Sequence, residues 1–284
     1  MRGVVVTGAS TGIGYATAKA LLLRGFAVFG SVRADRDGVR LAADLGPQFR
    51  PLIFDVTDEA AVARAAAQVR AELGRATLAG LVNNAGIAVA GPLLHLPVDE
   101  LRRQLEVNLV GQLTVTQAFA PLLGADRTTP GSPGRIVMMS SVSGREAAPF
   151  LGPYGAAKFA LEGLSEALRR ELMIYDIDVI IVAPGAVRTP IWAKADQADA
   201  TPYAGTDYAA PLEAARRYMS QLGERGLAAD AVGALVVKAL TRRRPRTRYA
   251  ISPSPIEAFV MSVLPKRLID RLMAAQLGLS LRKG

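Results

Sequence analysis

The sequence predicts an α/β fold: a doubly wound parallel sheet with helices on both faces and a helical C-terminal extension. Three observations predict it. Strand-like and helix-like segments alternate along the chain. The strand segments are continuous apolar runs, as strands buried on both faces must be. Glycines and polar residues cluster where the first three strands end, the edge at which open α/β sheets hold ligands.

Residues 4–6 form a β-branched apolar run that ends at Gly8. Residues 17–23 read as a helix stopped near Gly25. Residues 26–32 are a second strand, and 52–54 a third, closed by Asp55. The alanine-rich stretch 62–73 has high helix propensity. Leu81 and Val82 precede the turn Asn83-Asn84-Ala85-Gly86. One long helix is expected over 99–123, a strand over 136–139, a helix over 154–175 and a strand over 179–182. Residues 127–134 are rich in Thr, Pro, Ser and Gly and read as a surface loop. Residues 188–212 hold three prolines and scattered aromatics, so a lid reaching to about 225 is expected there. Lys266–Leu277, after Pro265, is amphipathic, within an extension expected from about 245 to 284. Without repeats or a long linker, 1–284 reads as one domain.

Composition excludes several chemistries. The 284 residues include no cysteine, so disulfides, thiolate catalysis and cysteine–zinc sites are out. A single histidine, His95, removes most histidine-based metal sites, and no metal is expected. The net charge of +9 suits anionic partners, but arginine- and alanine-rich chains are often basic for no such reason. Nucleic-acid binding would need a basic face with base-reading groups, and only net charge is seen. No apolar stretch reaches the roughly 18 residues of a membrane span, and a soluble, cytoplasmic protein is expected.

Gly8-Ala9-Ser10-Thr11-Gly12-Ile13-Gly14 lies between the first strand and the first helix. Glycines let the backbone approach a pyrophosphate, and the helix N-terminus offers it N–H groups and partial positive charge. Further on, Tyr154 and Lys158 stand four residues apart, on one face of a helix, so both reach one cleft. Ser140, Ser141 and Ser143 follow the strand 136–139, and spacing alone does not say which serves as a hydrogen-bond partner for a carbonyl.

Thr7-Gly8-x-x-x-Gly12-Ile13-Gly14, with Tyr154-x-x-x-Lys158, resembles the short-chain dehydrogenase/reductase family over roughly residues 3–190. The resemblance implies a Rossmann-type domain and NAD(P)-dependent interconversion of a carbonyl with a secondary or primary alcohol. It assigns the catalytic set Asn108, Ser141, Tyr154 and Lys158; Ser141 stands 13 residues before Tyr154, and Asn108 kinks a helix and holds a water that links the lysine to solvent. Lys158 and an oxidised nicotinamide are expected to lower the Tyr154 pKa from about 10. The cofactor would contact Gly8, Ser10, Thr11, Gly12, Ile13, Gly14, Asp55, Val56, Asn84, Tyr154, Lys158, Pro184, Gly185, Val187 and Thr189. The family's acidic position, which reads the ribose 2′-hydroxyl of NAD, corresponds to Val32, and Arg33 follows. This points to NADP(H), with NAD(H) left open by Asp35 two residues on.

Phe29-Gly30-Ser31-Val32-Arg33 and the long C-terminus resemble the retinol and 17-beta-hydroxysteroid dehydrogenase subgroup. A bulky lipophilic ketone or alcohol is then expected, in a pocket drawn from Val142, Pro149, Phe150, Ile191, Trp192, Tyr203, Tyr208 and Met219. A 3-oxoacyl-carrier-protein or broad ketone/polyol reductase is the rival enzyme, and a non-catalytic dinucleotide sensor the rival of another class. Family members pair through the long helices, so a homodimer or homotetramer is implied. The helix Lys266–Leu277 is expected on its own domain or another subunit, with a membrane surface as the alternative.

Overall fold

The computed structural model describes residues 2–190, 200–254, 256, 259–260 and 263–279. Seven parallel strands run β1 (Gly3–Val6), β2 (Ala27–Val32), β3 (Phe49–Ile53), β4 (Gly80–Asn83), β5 (Arg135–Met139), β6 (Asp178–Pro184) and β7 (Arg248–Ile251). Their spatial order is β3-β2-β1-β4-β5-β6-β7. β1 is central, with Val4 paired to Val28 on one side and Gly80 on the other. The order reverses beside β1, which opens a crevice at the carboxyl ends of β1 and β4.

Alternation along β1 shows why both faces must be covered. Val4 and Val6 enter one core layer with Leu21 of α1 (Gly12–Leu22). Val5 enters the other, with Val62 and Val69 of α3 (Glu59–Leu73). α5 (Gly111–Phe119) and α6 (Gly152–Glu171) complete the second layer through Val115, Phe119 and Leu161. α8 (Ala229–Thr241) closes the first through Val232 and Val236.

The structure revises several boundaries. The first helix begins at Gly12 rather than 17, β3 begins at Phe49 rather than 52, and Phe26 precedes β2. The expected long helix over 99–123 is broken. α4 (Val98–Leu105) passes into a π-helical turn, Glu106–Val110, then α5, then a 3₁₀ turn, Ala120–Leu123. The helix over 154–175 begins at Gly152, with Pro153 in its first turn, and gives way to a 3₁₀ turn at Leu172. α2 (Asp35–Leu45) was not expected from the sequence; it is mostly polar and buries only Gly38 and Leu41. α7 (Ala209–Glu224) occupies the second half of the expected lid, and residues 191–199 lie outside the described residues. β7 is a sheet strand inside the segment expected as an extension. α9 (Lys266–Leu277) forms where an amphipathic helix was expected and packs on α7.

Candidate active site

A cleft of about 840 Å³ runs along the carboxyl edge of the sheet, and every catalytic and cofactor-binding residue expected from the sequence lines it. Its floor begins at the glycine turn. Gly8 and Gly12 have φ of +65° and +58°, a region in which side chains are strained. A Cβ on Gly14 would meet the Gly8 carbonyl oxygen at 2.1 Å and the Asn84 amide nitrogen at 2.6 Å, so only glycine lets α1 start this close to β1. Thr11, the N-cap, accepts no hydrogen bond through its side chain. The first-turn N–H groups of α1 are therefore not capped by it and suit an anion.

Positive charge gathers beside this turn. Val32 is buried in the core, whereas Arg33 is exposed and lines the cleft. Arg40 of α2, which the sequence reading passed over, donates to the Ser10 carbonyl at 3.0 Å. Asp35 opens α2 and does not line the cleft. The Asp55 carboxylate is engaged by the backbone and hydroxyl of Thr57 at 3.0 and 2.9 Å. An uncapped helix start, a glycine floor and two guanidiniums fit a dinucleotide with an extra phosphate.

The backbone from Asn83 to Val89 is pinned by side chains from below. Thr7 accepts from the N–H groups of Asn84 and Ala85 at 2.8 and 2.9 Å. The Asn84 amide donates to the Thr7 carbonyl at 2.8 Å, tying β4 to β1. Gln104, Asn108 and Gln112 then reach up at four-residue spacing. Gln104 accepts from Val89 N–H at 2.7 Å, Asn108 exchanges two hydrogen bonds with the Ile87 backbone at 2.9 and 3.0 Å, and Gln112 donates to the Ala85 carbonyl at 2.6 Å. All three are buried. Asn108 lies within the π turn, which interrupts the helix where a kink was expected, and both polar atoms of its amide bond to Ile87. Gln104 and Gln112 were not among the expected site residues, although they stand four residues before and after Asn108.

The end of β5 separates the three serines. Ser141 hydrogen-bonds Tyr154, and its oxygen accepts from Ser143 N–H at 3.1 Å. Ser140 instead donates to Glu162 at 2.9 Å. Glu162 is mostly buried and also receives Arg248 of β7 in a bidentate pair, at 3.0 and 2.8 Å. Lys158, buried on α6, donates to the Met139 carbonyl at 2.7 Å, and its Nζ stands 5.7 Å from the centre of the Tyr154 ring. Burial depresses the Lys158 pKa from 10.5 to about 8. Burial also pushes the Tyr154 phenol up, and the hydrogen bond from Ser141 only partly offsets this. The expected lowering of Tyr154 rested on Lys158 together with an oxidised nicotinamide; of the protein's own groups Ser141 lowers it, and desolvation outweighs that hydrogen bond.

A second cavity of about 450 Å³ shares Ala90 and Thr189 with the cleft. Pro149, Phe150, Leu212, Ala215 and Met219 make it largely apolar, with Arg188, Arg216 and Glu224 also on its wall. Phe150 has φ of +64° and is held by Gly91 N–H, which donates to its carbonyl at 2.8 Å, and by an edge-on contact with Tyr208. Of the expected pocket residues, Pro149, Phe150 and Met219 line this cavity, Tyr203 lines the cleft, and Val142 and Tyr208 line neither. Ile191 and Trp192 lie outside the described residues.

Known proteins are similar to this chain in sequence and in fold. The family model described as short chain dehydrogenase matches residues 2–200. The NADPH-dependent 3-dehydrocapnine reductase of Ornithobacterium rhinotracheale is 37% identical over 96% of either chain. Retinol dehydrogenase 5 of Homo sapiens is 34% identical over 95% of this chain and 87% of its own. The crystal structure of a short chain dehydrogenase/reductase from Burkholderia phymatum in complex with NAD shares the fold, with a TM-score of 0.79 at 23% identity over 95% of each chain. Glycine floor, pinned loop and Tyr154–Lys158 pair thus stand in a chain that belongs to the short-chain dehydrogenase/reductase family of oxidoreductases.

Proposed function

We propose that the protein is an NADPH-dependent carbonyl reductase acting on a bulky, lipophilic ketone, and that Tyr154, Ser141, Lys158 and Asn108 carry the reaction. The observation that carries this reading is the meeting of Ser141, Tyr154 and Lys158 in a phosphate-suited cleft that shares Ala90 and Thr189 with an apolar cavity. NADPH, when bound, supplies the hydride for the carbonyl carbon. Tyr154 gives its phenolic proton to the carbonyl oxygen as that oxygen becomes an alkoxide, and regains a proton from solvent. A phenol held up by burial stays protonated at neutral pH, which favours reduction. Ser141 donates a hydrogen bond to the same oxygen. Lys158, mostly charged at pH 7, has ammonium protons beyond the one given to Met139 and holds the cofactor ribose. Asn108 keeps the Ile87 loop, one wall of the cleft, in place.

Relatives named for 3-dehydrocapnine and retinol support a lipophilic substrate, as does the apolar wall around Phe150. Arg33 and Arg40 support the choice of NADPH. Fluorescence titration tests that choice. NADPH should bind roughly ten- to a hundredfold tighter than NADH, and Arg33→Ala should remove most of the difference, as expected for a charge-assisted hydrogen bond. A preference for NADH, unchanged by Arg33→Ala, would overturn it. A turnover screen with activity only on small polar ketones would overturn the substrate class.

A further inference from the structure

α9 has two faces with different partners. Its inner face buries Ile269 and Leu277, and Leu277 joins Phe150, Leu212 and Ala215 in the small core behind the apolar cavity. Lys266 anchors the start of the helix to Glu146 at 2.8 Å. The outer face is apolar as well. Leu268 and Leu272, four residues apart, are 41% and 51% exposed, and Ile256, Phe259, Val260 and Val263 before them are between 43% and 79% exposed. Arg267 and Arg271 are exposed and stand next to those leucines at the same spacing. From Pro265 onward the chain carries Lys266, Arg267, Arg271, Arg282 and Lys283 against a single acid, Asp270. No helix of the described residues is long and apolar enough to cross a membrane.

We infer that this face is a docking surface for an anionic lipid bilayer, with α9 lying in the plane of the interface. An exposed apolar row beside a cationic row is what an interfacial helix needs: leucines enter the acyl boundary while arginines meet anionic headgroups. A second copy of the chain suits the face less well. A two-fold contact centred on α9 would place the Arg267–Arg271 row against itself, with like charges meeting. Docked this way, the bilayer lies against the element that backs the apolar cavity, the arrangement that suits a substrate dissolved in lipid. The proposal stands apart from the ketone reading, since its readout is membrane binding.

Vesicle flotation of the full chain tests it, with vesicles of phosphatidylcholine alone or mixed with phosphatidylglycerol. The chain should float with the mixed vesicles, float far less with phosphatidylcholine, and lose binding as salt rises. The double variant Leu268→Asp/Leu272→Asp should bind mixed vesicles at least roughly tenfold more weakly, with its circular-dichroism melting unchanged. Arg267→Glu/Arg271→Glu, which leaves the apolar row intact, should remove the salt-sensitive part alone. Absence of flotation with mixed vesicles would overturn the proposal, as would flotation indifferent to the leucine pair. A leucine variant that dissociates an oligomer in sedimentation equilibrium, in a chain that does not float, would overturn it and assign the face to a second copy.

Discussion

The carboxyl edge of the sheet and the wall of the apolar cavity meet at Ala90 and Thr189, yet they are held by different forces. At the sheet edge, backbone is fixed by buried amides and hydroxyls: Thr7, Gln104, Asn108 and Gln112 satisfy the groups of one loop. Such bonds are directional, and leaving one partner unmet in the interior costs about 1–3 kcal/mol. The far wall is a small apolar cluster of Phe150, Tyr203, Leu212, Ala215 and Leu277. Apolar contact is non-directional and tolerates exchange of one side chain for another of similar volume. The contrast teaches where chemistry and where selectivity reside: the edge tolerates little change, and the wall can be reshaped.

Substitutions can break or sharpen this contrast. The largest effect is expected for Tyr154→Phe, which should lower kcat by about 10²–10⁴-fold while cofactor titration changes little, because only proton transfer is lost. Glu162→Gln comes next. It strips the Arg248 guanidinium, which is mostly buried, of its counter-charge and should cost about 3 kcal/mol in urea melts. Stability unchanged by this substitution would mean that solvent, not Glu162, satisfies Arg248.

Lys158→Met should act in the opposite sense on stability. Depression of the lysine from 10.5 to about 8 corresponds to about 3 kcal/mol of strain on the folded state at neutral pH. Between about pH 8 and 10.5 the unfolded chain binds more protons than the folded one, so wild-type stability gains a rising contribution there. The variant should therefore be about 1–3 kcal/mol more stable at pH 7, less the lost bond to Met139, with the advantage shrinking toward pH 10. Melts at both pH values check this. The smallest effect is expected for Phe150→Ala, which should raise KM several-fold for bulky ketones and leave kcat on small ones nearly unchanged, since only apolar contact is lost. Equal loss on both would place Phe150 in the support of Tyr154 instead.

Much of the edge was legible in the chain. The short β-branched run before Gly8 reads as a buried strand, and a glycine turn followed by a helix is local chemistry. The four-residue step from Tyr154 to Lys158 follows from helix geometry alone. α2, α7 and α8 were missed for different reasons. α2 is mostly polar and buries few residues, and α7 and α8 lie in segments where no helix was expected. The interruption at Asn108 was expected only through the family resemblance, because the backbone that Asn108 pairs with lies twenty-one residues away.

The sequence by itself determined the alternating architecture, the absence of cysteine chemistry, and the residues that would share a cleft, because turn conformation and helix spacing are set by neighbours in the chain. Only the tertiary structure decided which serine meets Tyr154, that Arg40 joins Arg33 near the glycine turn, and that Tyr154 is raised rather than lowered. Those outcomes depend on desolvation and on partners distant in sequence, and both exist only once the layers have closed over the sheet.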